Sequence, residues 1–87
     1  MDIEGYYYDR GKDLDEGYQL GLYISITRDR ALLLLSKIGT QSFERFGGSG
    51  LEEGVDLELA ELRYDTIDTA EEFRRLSAEL REQMKNI

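Results

Sequence analysis

The sequence predicts an α+β domain, a mostly antiparallel sheet of four strands with one C-terminal amphipathic helix packed on one face. Three observations carry that expectation. Apolar residues alternate from Tyr18 to Ile26, a second apolar segment runs from Ala31 to Ile38 after a four-residue break, and residues 69–87 switch to spacings of three and four behind a capping box. The chain has 87 residues, and at that length folding removes only roughly 60 to 65% of the unfolded surface. One modest core, and so one domain spanning residues 1–87, is expected.

The central hairpin is the first element to justify. Tyr18, Leu20, Leu22, Ile24 and Ile26 fall on one side of a strand, with Gln19, Gly21, Tyr23, Ser25 and Thr27 on the other. If Arg28 to Arg30 form the loop, Thr27 faces Ala31 and the buried side of the partner strand becomes Leu32, Leu34, Ser36 and Ile38. That register is preferred because a shift by one residue would turn Lys37 into the core beside Leu20. Leu33 and Leu35 then point to the opposite face beside Tyr23, and an apolar patch there would suit a homodimer interface.

The first segment, Ile3 to Tyr8, carries three consecutive tyrosines and reads as a strand, followed by a long turn from Arg10 to Gly17. The acids in that turn do not follow the D-x-[DN]-x-[DN]-G-x5-E order of a calcium loop, so no metal is expected. Residues 39–54 hold five of the nine glycines and read as an irregular stretch. Gly47-Gly48-Ser49-Gly50 lacks the Lys-Ser/Thr pair of a phosphate loop, and Leu51-Glu52-Glu53 would repel phosphate. Phe43 and Phe46 in this stretch either fold back over the core as a lid or serve a partner as aromatic anchors. Val55 to Leu59 alternates as a fourth strand with a bulge near Ala60, a short helix being the competing reading, and Tyr64 to Asp68 connect onward. The last element starts at Thr69-Ala70-Glu71-Glu72, a capping box, and sets Ala70, Phe73, Leu76, Leu80, Met84 and Ile87 on one stripe. That stripe is expected to lie on Leu20, Leu22, Ile24, Leu32 and Leu34.

Composition removes several chemistries. With no His and no Cys there is no Ser-His-Asp or Cys-His triad, no zinc finger and no disulfide framework. Ser36 and Lys37 are neighbours on a strand and point apart, so they form no dyad. Asp56 and Glu58 share a strand face, but a solvent face, where neither carboxyl is tuned for acid–base work. No catalytic residue and no cofactor is expected, and the chain reads as a binding protein instead of an enzyme.

The net charge is −8, and it is unevenly placed. Residues 1–16 hold six acids against two bases, and residues 51–68 hold seven acids against Arg63. Residues 17–50 carry four bases against two acids, and residues 69–87 balance. An acidic surface repels the nucleic-acid backbone and anionic lipid, so direct binding to either is not expected. The longest apolar run, Ala31 to Leu35, is far shorter than the roughly 20 residues that span a bilayer. Asp2 and Glu4 stand where a signal peptide would be basic, so the expected location is the cytoplasm.

The two acidic blocks suit a basic protein partner. Small acidic single domains of this size and charge include immunity proteins and inhibitors that occupy the nucleic-acid groove of an enzyme; the analogy is one of size and charge alone. The expected contact set is Tyr7, Asp13, Asp15, Glu16, Phe43, Phe46, Glu52, Glu53, Asp56 and Glu58. The alternative is a self-associating structural or regulatory domain with Tyr23, Leu33 and Leu35 at its dimer interface.

Overall fold

The frame of the fold is the hairpin of β2 (Tyr18–Ser25) and β3 (Arg30–Lys37). A computed structural model of the chain describes residues 3–47 and 54–85. In the hairpin Leu20 faces Leu35, Leu22 faces Leu33 and Ile24 faces Ala31, so the expected register is corrected by an odd number of residues. Leu33 and Leu35 therefore lie in the core, each 1% exposed, while Leu32 and Leu34 point to the other face. The reason lies in the turn. The Ser25 hydroxyl accepts the backbone N–H groups of Asp29 and Arg30 at 3.2 and 3.1 Å and donates to the Asp29 carboxylate at 3.0 Å. One buried serine thus supplies the partners of a longer turn, and the register follows. Ile26 is left 74% exposed and Ile38 60%. Lys37 does face the core side, but at the strand end, where its ammonium lies 5.5 Å from the Tyr18 ring centroid instead of inside the core.

β1 (Tyr6–Asp13) pairs antiparallel with β2, with Tyr8 opposite Tyr23, Gly11 opposite Gly21 and an irregularity between Tyr8 and Arg10. The strand thus runs through most of the expected turn, which shrinks to the four residues 14–17. Leu14 N–H donates to the Tyr18 carbonyl at 2.7 Å, and Glu16 and Gly17 take φ of 55° and 78°. Within the glycine-rich stretch β4 (Phe43–Arg45) pairs with β3 at Leu34 to Ser36, and β5 (Val55–Asp56) pairs with β3 at Arg30 and Ala31. The sheet order is β1-β2-β3-β4, with β5 also on β3.

The expected fourth strand is corrected after Asp56, where α1 (Leu57–Thr66) begins; α2 (Ala70–Lys85) follows. Both helices contribute to one core. Ala60 and Tyr64 of α1, Ile67, and Ala70 and Phe73 of α2 pack with Leu20, Leu22, Ile24, Ala31, Leu33 and Leu35. The cap of α2 is built nearly as the sequence implies: Thr69 Oγ1 accepts from Glu72 N–H at 3.0 Å, and the Glu72 carboxylate reaches back to Asp68 N–H at 3.1 Å, one residue before the expected partner. The paired oxygens of Glu44 accept from Arg74 at 2.7 and 3.2 Å, tying β4 to α2. The arrangement is α+β, as the sequence predicts, with a second helix added.

Candidate functional site

Side chains of β1 and α1 meet at a seam that sets the two cations, Arg10 and Lys12, and Asp9 of the first block against acids of the second. Arg10 and Lys12, two residues apart on β1, project to the same side and lie over the Tyr64 ring of α1 at 5.2 and 4.9 Å from its centroid. Each cation also has an acid from the second block: Arg10 Nη2 is 3.6 Å from Glu61, and Lys12 Nζ is 3.8 Å from Asp68. Arg10 Nε lies 3.7 Å from Asp9 of the first block. Burial pushes the Tyr64 hydroxyl above its usual pKa; Arg10 pulls it back, and Tyr8, Asp65 and Asp9 push it further up. Acids from residue 9 and residue 65 thus act on one ring. These ion pairs are exposed and each is worth little to stability; their consequence is a shared electrostatic surface.

The residues expected to contact a partner distribute as follows. Tyr7 is 37% exposed and its hydroxyl accepts from Arg28 at 2.6 Å. Asp13 accepts from Gln19 at 3.0 Å on the face opposite the helices. Asp15 has a structural task, accepting the Ala70 N–H at 2.9 Å at the start of α2. Glu16 is exposed in the turn, and Phe43 is 40% exposed on β4. Phe46 is corrected: it is 4% exposed and packs edge-on against Phe73 at 5.6 Å, so it is the lid of the expected alternatives and not an anchor. Glu52 and Glu53 lie outside the described residues. Asp56 pairs with Arg30 at 3.1 Å, and Glu58 is in the first turn of α1, so the two do not share a strand face. Of the three residues expected at a dimer interface, Leu33 and Leu35 are core, and Tyr23 alone remains on the outer face.

Glu61, Tyr64 and Asp68 are absent from the expected contact set. The sequence signal is the spacing of Glu61 and Tyr64, one turn apart on α1, and it has meaning only for a helix over 57–66; Asp68, beyond α1, carries no such signal. Among the described residues no three acids gather as metal ligands would, and no helix is long and apolar enough to cross a membrane.

The chain matches no protein-family model, no curated protein and no solved structure.

Proposed function

We propose that the chain is a small acidic protein-binding domain without catalytic activity, acting in the cytoplasm as an inhibitor or immunity-type protein toward a basic, nucleic-acid-processing partner. The observation that carries this reading is the β1–α1 seam, where Asp9 of the first acidic block and Asp65 of the second act on Tyr64 and where Arg10 and Lys12, lying over that ring, are paired with Glu61 and Asp68. With Arg10 and Lys12 set among four acids, the seam stays net negative in a chain of net charge −8, and an asymmetric negative field of this kind raises association rates with a basic partner by roughly 10 to 1,000-fold at low salt. The homodimer alternative is left with Tyr23 alone of its three residues, since Leu33 and Leu35 are occupied in the core.

The test is affinity capture at low and high salt with the partners identified and assayed. A basic nucleic-acid enzyme should be retained, inhibited, released by salt and bound more weakly by an Asp65→Lys variant, whose exposed side chain in the last turn of α1 leaves the fold intact. Retention indifferent to salt and to that variant, or a salt-insensitive homodimer that retains nothing, overturns the reading.

A further inference from the structure

The face of the sheet away from the helices carries a feature that the acidic seam does not use. Gly11 of β1 and Gly21 of β2 stand in register opposite each other. A Cβ on Gly11 would come 2.6 Å from the Tyr8 hydroxyl, and one on Gly21 would come 3.1 Å from the Tyr23 ring. Each tyrosine therefore lies along its own strand over a position that only glycine leaves open. The two rings stand 5.5 Å apart at 68°, forming a corner. Beside them opens a hollow of about 260 Å³, with Phe43 across it, Leu34 in its lining and the Asp13–Gln19 hydrogen bond at its rim.

The charge of this hollow is one-sided. Lys12 lines it, yet its ammonium is directed to the opposite face, toward Tyr64 and Asp68. Among the described residues Asp13 has no cation partner and bonds only to the neutral Gln19 amide. Tyr23, held above its usual pKa by burial and then by Tyr8, stays neutral. Partly exposed aromatic rings and one carboxylate, in a protein of net charge −8, select for a cation. A guanidinium suits the shape better than an ammonium, since its plane stacks on a ring while its fork meets a carboxylate.

We propose that this hollow is an arginine-binding site: it receives an arginine side chain of the basic partner, stacked on the Tyr8–Tyr23 corner and paired with Asp13. The site deepens the partner reading above and rests on it for the source of the arginine.

The experiment is an amide NMR titration of the full chain with the blocked tripeptide acetyl-Gly-Arg-Gly-amide and with its citrulline counterpart, which keeps the planar shape and loses the charge. The arginine peptide should shift the amides of Gly11, Gly21 and Gln19, with the citrulline peptide binding at least about tenfold more weakly. Asp13→Asn should weaken the arginine response while leaving the melting curve in place, since its side chain is exposed and Asn can still accept from Gln19; Tyr8→Ala should weaken it in a protein that remains folded but melts somewhat lower. Equal responses to the two peptides, no shift around Gly11 and Gly21, or an Asp13→Asn variant that binds as well as the parent overturns the site. A captured basic partner that binds the Asp13→Asn/Tyr8→Ala protein undiminished also overturns it while leaving the partner reading intact. Arginine binding in the hollow with no basic partner captured supports the site and overturns only that reading.

Discussion

At Gly54 the backbone takes φ of +80°, and a Cβ would stand 2.6 Å from the Ala31 carbonyl oxygen and 2.9 Å from the Tyr6 hydroxyl. Gly39 has φ of +88° with nothing within 4 Å. Alanine at either position suffers the left-handed backbone, roughly 1 to 2 kcal/mol, and at Gly54 the carbonyl clash is added. Chemical denaturation of Gly54→Ala and Gly39→Ala should therefore show the former clearly less stable; equal losses would mean that β3 and the Gly54 segment can move apart freely. Asp29 offers a second residue-scale expectation. The hydroxyls of Thr27 and then Ser25 donate to its carboxylate and hold its pKa below the usual value. A depressed carboxyl pKa contributes stability that is present above the unfolded value and is lost as pH falls through the folded one. Side-chain NMR titration should place the Asp29 midpoint below the ordinary aspartate range, and Thr27→Val should raise it; an unmoved midpoint would remove Thr27 as the cause.

Elements differ in how far local pattern reveals them. α2 was legible because Ala70, Phe73, Leu76 and Leu80 form one stripe behind Thr69, and a single buried face produces that periodicity. α1 was not, because its apolar side chains answer to two neighbours at once. Ala60 and Tyr64 are buried against the core, Leu59 borders a hollow shared with Leu76 and Leu80, and Leu62 is 55% exposed. The alternation from Val55 to Leu59 then imitates a strand of which only Val55 and Asp56 are real. β4 was hidden for a related reason: three residues among glycines carry too little pattern, and β3 supplies their hydrogen-bond partners. The lid of Phe46 on Phe73 joins this loop to α2. Phe73→Ala should cost roughly 3 to 5 kcal/mol, because the ring is 1% exposed. In a double-mutant cycle with Phe46→Ala, the double variant should lose roughly 0.5 to 1.5 kcal/mol less than the sum of the two single losses, the coupling of the ring pair. Thermal and urea unfolding measure both, and a Phe73→Ala protein that melts within a degree of the parent would contradict this packing.

Across the whole molecule, which measures 35 × 27 × 22 Å, the charge acts over distances comparable to a Debye length of roughly 30 Å at about 0.01 M salt. A net charge of −8 then repels itself, while the exposed ion pairs of the seam return little. Raising salt to about 0.5 M should raise the Tm by a few degrees; a fall would show that the Arg10 and Lys12 pairs outweigh the general repulsion. The acidic surface is also where sequence and structure divide most clearly. Counting side chains determined the sign of the charge, its two blocks, the absence of His and Cys chemistry, the α+β class and the capped C-terminal helix, because each depends on residue identity or on neighbours within a few positions. Tertiary structure alone decided that Leu33 and Leu35 face the core, since a run of five buried apolar residues satisfies either register and the Ser25 turn breaks the tie. It also decided that residues 9 and 65 act on one tyrosine and that two glycines make room for the tyrosine corner beside the hollow. Those are contacts between segments distant in the chain, set by which helix lies against which strand, and no local period encodes them.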